Sequence, residues 1–372
     1  MPNLRFPEFE GEWEECLLKD VAEISKGTGI SKDQLSETGH PCILYGELYT
    51  KYKSEVISEV LSRTNIENSN LVQSKSNDVI IPSSGETAID ISTARCVPFS
   101  NILLGGDLNI IRLKEHDGRF LSYQLNGVRK LEIAKIAQGV SVVHLYGESL
   151  KRLKIKLPSI QEQNKISSLL NLIDERIETQ NRIIEDLKQL RSAIYQHLFQ
   201  QLKGEKVALC TIADVIKGKQ INGSELSDSG HYYMMNGGII PSGYLEKCNT
   251  PANTISISEG GNSCGYVQYN HVPFWSGGHC YTLCLKGNID SRYLYHWLKF
   301  KEPDIMALRI GSGLPNIQKK DLEHFQIIMP NINIQKKYAD IFDSIRNKEK
   351  NEIDFLKNWS EQKQYFLQQM FI

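Results

Sequence analysis

Three things are missing from this 372-residue chain, and each absence excludes a class of protein. It has no surplus of positive charge: 43 Lys and Arg stand against 44 Asp and Glu, a net charge of −1. A domain that grips nucleic acid unaided is commonly basic, so any such role must use local basic loops or phosphate contacts supplied by partners. It has no closely spaced cysteine pair. The eight cysteines, at 16, 42, 96, 210, 248, 264, 280 and 284, are scattered, as expected of buried apolar residues in a reducing compartment. Cys264, His271, His279, Cys280 and Cys284 lie near one another in sequence, but they lack the paired spacing of a zinc site. No metal is expected. Finally, no apolar run approaches the roughly 18–20 residues that span a bilayer. The start, Met1-Pro2-Asn3-Leu4-Arg5-Phe6, has no basic-then-apolar leader, and a cytoplasmic location is expected.

Catalytic signatures are missing too. The Gly260 to Gly265 spacing of a phosphate loop is followed by Tyr266 rather than by Lys. No GxSxG elbow, HExxH helix or Asn-Pro-Pro-aromatic motif occurs. His40 and His231 each follow a Gly in a turn, where a structural role competes with catalysis.

What the chain does have is itself, twice. Val21-Ala22-Glu23-Ile24-Ser25-Lys26-Gly27 returns as Ile212-Ala213-Asp214-Val215-Ile216-Lys217-Gly218, an offset of 191. Gly105-Gly106 returns as Gly277-Gly278 at an offset of 172, which then holds through Gly139/Gly311, Gln163/Gln335 and Phe199/Phe371. A period this long exceeds the roughly 20–50 residues of a solenoid unit and means a duplicated domain. The composition, 40% hydrophobic and 23% charged, suits a globular protein with room for two such domains.

Each half reads as short β runs separated by Gly, Ser, Asn and Pro turns, followed by one long helix. The runs are 78–81, 109–113 and 153–157, then 254–257, 281–285 and 325–329, with short helices expected at 119–125 and 292–298. The expected division is 1–158, helix 159–203, 204–330 and helix 331–372, an α+β plan. Ser159 and Glu162 form a capping-box pattern at the first long helix. Ile166, Leu170, Ile173, Ile177, Ile184, Leu187, Ile194 and Leu198 keep a 4-3 apolar spacing, and Tyr338, Phe342, Ile345, Leu356, Trp359, Phe366 and Met370 repeat it.

The first helix carries the chain from one domain to the next and the second starts from there, so packed together they must run antiparallel. The expected fold is therefore two similar globular domains separated by two long antiparallel coiled-coil helices. Both seams are interrupted at matched places, Gln180 and Arg191 against Glu352 and Lys363. One antiparallel register puts Arg191 opposite Glu352 and Gln180 opposite Lys363, while snorkelling to solvent is the alternative.

With these features in place, the chain resembles the specificity subunits of type I restriction–modification systems. The opening Pro2-Asn3-Leu4-Arg5-Phe6-Pro7 with Phe9, Gly11 and Trp13, then Leu18-Lys19-Asp20-Val21, is similar to that family's start. Gly311-Ser312-Gly313-Leu314-Pro315-Asn316-Ile317, leading to Leu322 and Met329-Pro330, is similar to its end-of-domain signature. The first-half version departs in having His144 where Asn316 stands.

The resemblance implies a non-catalytic subunit in which each domain is a target recognition domain reading half of a bipartite double-stranded DNA sequence. It implies two modification subunits that use S-adenosylmethionine to methylate adenine, and two ATP- and Mg-dependent restriction subunits, with no cofactor in this chain and no membrane. The candidate DNA-contacting residues are Lys26, Tyr45, Lys51, Lys53, Ser83, Ser84, Arg95 and His144 in the first domain. Those in the second are Lys217, Lys219, Gln220, Asn236, Ser258, Asn262 and Asn316. A loop Lys that is merely solvated competes with each such assignment. Leu172, Ile183, Ile341 and Ile353 lie off the seam and are the candidates for partner contact. The stretches 46–104 and 237–276, where the halves lose alignment, are where specificity is expected.

Overall fold

A computed structural model describes residues 2–66, 70–311 and 313–371. Met1, Glu67, Asn68, Ser69, Ser312 and Ile372 of the features discussed above lie outside the described residues. In the first domain, β1 (Ala22–Lys26), β2 (Asp78–Pro82), β3 (Arg95–Val97) and β4 (Leu108–Leu113) form an antiparallel sheet in the order β1-β4-β2-β3. It is followed by α1 (Gly118–Asn126) and the long α2 (Ile160–Gln200). The second domain repeats this with β5 (Ala213–Lys217), β6 (Thr254–Ser258), β7 (Val267–Asn270) and β8 (Cys280–Leu285) in the order β5-β8-β6-β7, then α3 (Ser291–Phe300) and α4 (Ile332–Gln369). In the first domain the inner strands carry apolar residues on both faces; Val79, Ile80, Ile81, Ile110 and Ile111 are all fully buried, as a sheet covered on both sides requires.

The frame runs further into the divergent stretches than the sequence suggests. Ile80 and Ser256 occupy equivalent places opposite Ile110 and Thr282. A second small sheet also recurs: His40–Ile43 runs parallel to Leu103–Leu104, and Tyr232–Met235 parallel to Trp275–Ser276. The real divergence is narrower and lies between these elements. There the first domain has a helical turn (Glu47–Thr50) before the strand Ser62–Thr64, whose counterpart Gly243–Leu245 pairs antiparallel with the small sheet of the second domain in the same way.

The chain packs as two compact units, residues 1–181 with 354–372 and residues 182–353. These cut across the expected linear division, because each unit holds a sheet domain together with portions of both long helices. In the first unit Phe371, from the chain's end, packs against Trp13 and Phe120 at centroid distances of 6.3 and 5.1 Å. In the second unit Phe199, from the end of α2, packs against Trp297 at 5.1 Å and Phe342 at 5.0 Å. The repeated Phe therefore fills the same kind of hole twice.

Each long helix is anchored to its own domain by a repeated glutamine. Gln163 Oε1 accepts from the Asp117 N–H (3.1 Å) while its Nε2 donates to Pro158 O (2.8 Å). Gln335 does the same with Asp290 (3.0 Å) and Pro330 (2.8 Å). Both glutamines are buried. Gln163→Leu strands one buried donor and one buried acceptor, each costing about 1–3 kcal/mol. The urea midpoint of the first unit, followed by hydrogen exchange, is expected to drop accordingly, and an unchanged midpoint refutes the anchor.

Two helix expectations are corrected in detail. The Glu162 N–H donates to Ser159 Oγ (3.3 Å), but the Glu162 carboxylate does not complete a capping box. It is buried and pairs with the Arg5 guanidinium at 2.8 Å, because a carboxylate removed from water takes a cation over a lone amide. Arg191 pairs with Glu349 rather than with Glu352, about one turn from the expected register. Lys363 is held by Glu55 (2.5 Å) and Asp174 (2.6 Å). The seam positions from Ile166 to Leu198 and from Tyr338 to Met370 are all buried or half-buried, as their 4-3 spacing requires.

Candidate nucleic-acid interface

At one end of each sheet the same four pieces of chain meet. The strand carrying Lys26 or Lys217 ends at a glycine that no other residue could replace. A Cβ on Gly27 would lie 2.0 Å from Gly105 O, and one on Gly218 2.2 Å from Gly277 O. That close approach ties the lysine's strand to the repeated Gly-Gly turn and explains why both pairs recur together. The residue after this turn is Asp107 in the first domain and His279 in the second. Its carbonyl accepts from the backbone N–H of Ser83 (2.7 Å) and of Glu259 (2.9 Å), respectively.

A strap then crosses this junction. In the first domain Gln138 and His144 exchange backbone hydrogen bonds (2.9 and 2.7 Å) around 139–143; in the second Ile310 and Asn316 do so (2.8 and 3.0 Å) around 311–315. Gly139 and Gly311 take positive φ, +120° and +96°, at the start of the loop. The strap is pinned by Leu145 N–H on Ser83 O and by Ile317 N–H on Glu259 O, both 2.9 Å. The side chains of Asn109 (2.9 Å) and Tyr281 (3.1 Å) donate to the carbonyls of Leu145 and Ile317. Both straps present apolar tips to solvent: Val140 is 97% exposed and Leu314 85%.

This frame gathers most of the second-domain candidates. Lys217 Nζ lies 2.6 Å from Glu259 Oε1, and Asn236 Oδ1 accepts from the His279 N–H (3.0 Å). Gln220 lies against Gly278, and Asn316 bridges to Gly260. Asn262 and Lys219 are exposed beside it. Ser258 is buried and its hydroxyl is spent on Gly237 O (2.7 Å), so it supports the turn and reaches no ligand.

The first domain scatters its candidates more widely. Lys26 and His144 are exposed at the frame, His144 stacked on Tyr146. Tyr45 and Lys51 line a cavity of about 730 Å³ together with Asp107, and Lys51 is paired with Glu47 (2.6 Å). Lys53 lines a different cavity, near Lys130. Ser83 and Ser84 are buried, so they contribute backbone to the frame. Arg95 is withdrawn as a candidate. It is buried, its guanidinium donates to the carbonyls of Leu48 (3.1 Å) and Tyr52 (2.8 Å), and burial lowers its basicity. Of the cysteines discussed above, Cys42, Cys96, Cys264 and Cys280 are buried as expected, Cys16 is half-buried, and Cys210, Cys248 and Cys284 are exposed, contrary to the expectation. Among the described residues no group of three or more His, Cys, Asp or Glu is placed to hold a metal, and no helix is long and apolar enough to cross a membrane.

Asp107, Glu259, His279 and Tyr281 escaped the residue-by-residue reading. A signal for two of them was present, since Asp107 and His279 follow the repeated Gly-Gly at the same offset. Tyr281 donates to Glu259 Oε1 (3.0 Å). Burial, then this carboxylate, push its hydroxyl well above the ordinary tyrosine range, so it remains a donor.

The chain has counterparts among known proteins. A family model for the type I restriction modification DNA specificity domain matches residues 10–189 and again 203–355. A Mycoplasma genitalium protein bearing the name of a type I specificity subunit is 27% identical over 229 residues, 57% of this chain and 60% of that protein. The chain thus spans about three-fifths of that relative. The specificity subunit of the type I restriction enzyme MjaVIII from Methanocaldococcus jannaschii is 23% identical over 96% of this chain and 92% of its own. The crystal structure of a type I restriction–modification S subunit from M. genitalium superposes with a TM-score of 0.75 at 20% identity, covering 100% of this chain and 99% of that one. That likeness concerns the fold. The matched family model covers both halves of the chain, which therefore belongs to the type I restriction–modification DNA specificity family.

Proposed function

We propose that this chain is the non-catalytic specificity subunit of a type I restriction–modification complex, in which each sheet domain reads one half of a split DNA target. The observation that carries the reading is the duplicated frame with unlike side chains on it. Backbone geometry repeats at Ser83/Glu259, Asp107/His279 and His144/Asn316, while the donors and acceptors differ. Base discrimination needs a fixed platform and variable donors and acceptors.

In this reading α2 and α4 pair as an antiparallel coiled coil that sets the unspecified gap. A 41-residue helix rises roughly 60 Å, ample for half-sites one DNA turn, about 34 Å, apart. The division into 1–158, 159–203, 204–330 and 331–372 then describes two readers and two spacers. The near-zero net charge leaves much of the phosphate affinity to two modification subunits, which bring S-adenosylmethionine, and to two restriction subunits, which bring ATP and Mg. Leu172 and Ile353, 58% and 45% exposed, together with the half-buried Ile183 and Ile341, offer the helices' apolar contact to the modification subunits. Lys26, Lys219 and the exposed lysines other than Lys217 serve mainly to position the DNA backbone.

One heptad inserted into both helices is the test. Methylome sequencing of cells carrying the complex is expected to show a longer gap, or loss of modification, with both half-sites unchanged. Altered half-sites would contradict the division between readers and spacer, and a wild-type complex without sequence-selective methylation would remove the function itself.

A further inference from the structure

We propose that Lys217 and His279, held together by the buried carboxylate of Glu259, form the base-reading pair of the second domain and select guanine in its half-site. The proposal rests on the DNA-reading function above and adds the residues and the base.

Glu259 directly follows β6 at the junction where the first domain has Ser83, and its side chain is only 11% exposed. A carboxylate there is costly to desolvate unless cations meet it. Oε1 is met twice, by Lys217 Nζ at 2.6 Å and Tyr281 Oη at 3.0 Å. Oε2 is buried and, among the described residues, accepts no hydrogen bond, with His279 Nδ1 standing 3.8 Å away. The two groups the carboxylate holds both face outward: the Lys217 side chain is 54% exposed and that of His279 65%. Their backbones are fixed as well. The Gly218 N–H donates to Cys280 O (2.9 Å), and Asn236 receives the His279 N–H. A rigid anionic base carrying two exposed nitrogen groups is a preorganised pair of donors.

The hydrogens of the pair decide which base edge it fits. In the proposed pair the outward ring nitrogen of His279 carries a hydrogen and donates. Lys217 always donates. In the major groove only guanine presents two adjacent acceptors, O6 and N7; adenine sets its N6 donor beside N7, which opposes one of the two protein donors. The first domain cannot read the same way. Asp107 stands where His279 does and Ser83 where Glu259 does, so an acceptor replaces a donor and no buried anion organises the site. The two half-sites are therefore unlike.

Because one chain carries both readers, the first half-site is an internal control for folding and assembly. The full-length chain, assembled with its modification subunit, is used to select from a randomised duplex library. Wild type is expected to show guanine at a position of the second half-site. Lys217→Ala and His279→Ala, which trim exposed side chains, are each expected to reduce that preference about tenfold or more. Glu259→Gln is expected to reduce it at the same position by removing the charge that positions the pair. The first half-site stays intact in all three. A second half-site without guanine, or Lys217→Ala and His279→Ala chains that keep the wild-type preference, overturns the proposal while leaving the specificity function standing. Should Glu259→Gln blur both half-sites, its role is general folding and the positioning claim is lost. A wild-type complex that selects no sequence at all refutes the function on which the proposal rests.

Discussion

Lys363→Met is expected to destabilise the first unit by about 3–5 kcal/mol, the usual result of removing one partner from a buried charge cluster. Lys363 lies between Glu55 and Asp174, and the three side chains are 15%, 10% and 5% exposed. Tyr123 Oη also donates to Asp174 (2.8 Å). Without the ammonium, two buried carboxylates face each other. Asp174→Asn in the Lys363→Met background should recover part of the loss, and strict additivity of the two changes in urea unfolding would show that the cluster does not act as a unit.

The same cluster predicts a pH profile. Burial pushes the Asp174 carboxyl up to about 6, with Glu55 adding to the shift and Lys363 opposing it. Its folded value lies above its ordinary 3.8, so the native state holds the proton more tightly. Its stabilising contribution is complete below that value and disappears as pH rises through about 6. Glu55 behaves in the opposite way. Burial works against it, but Lys363 and Arg95 hold its carboxyl below the ordinary 4.5, so its contribution exists above 4.5 and is lost as pH falls further. The first unit should therefore be most stable at about pH 4, and Asp174→Asn should flatten the decline between about pH 4 and 6. A parent protein whose stability rises over that interval would contradict the assignment.

The second large effect is a crossed one. Phe371→Ala is expected to cost about 3–5 kcal/mol, as aromatic-to-alanine changes in cores do, and the damage should appear in the first unit, around Trp13 and Phe120. Phe199→Ala, from the sequence's first half, should instead loosen the second unit around Trp297 and Phe342. Hydrogen exchange resolved by peptide reads this directly. Protection lost from the second unit on Phe371→Ala would show that the helix end is assigned to the wrong core.

The parts of this protein that rest on local rules were open to reading in the sequence. The long helices follow from a 4-3 spacing that is apolar at most of its positions, and their observed bounds, Ile160–Gln200 and Ile332–Gln369, lie inside the expected ones. The short strands followed from alternation between turn residues. The charge register did not follow. Sliding one helix by a turn keeps apolar residues on the seam, so periodicity cannot distinguish Glu349 from Glu352 as the partner of Arg191. Arg95 misled for a similar reason, because a guanidinium reads as a surface group until the carbonyls of Leu48 and Tyr52 are brought to it. The functional frame was legible only through its glycines, whose close backbone approach leaves a fixed residue type behind. Glu259 carried no comparable mark, since its value depends on Lys217, His279 and Tyr281 arriving from three other places in the chain.

By itself, the sequence determined that there are two copies of one domain, that each ends in a long amphipathic helix, and that the copies differ in what they present. Those properties come from local spacing and from comparing the chain with itself. Only the tertiary structure decided which helix end completes which core and which side chains share a buried carboxylate. The physical reason is that burial of apolar surface has no direction: Phe199 and Phe371 satisfy the same pattern equally well on paper. The choice between cores is made by the aromatic cavity each one fills, and the reading site exists only once strands far apart in sequence have closed around Glu259.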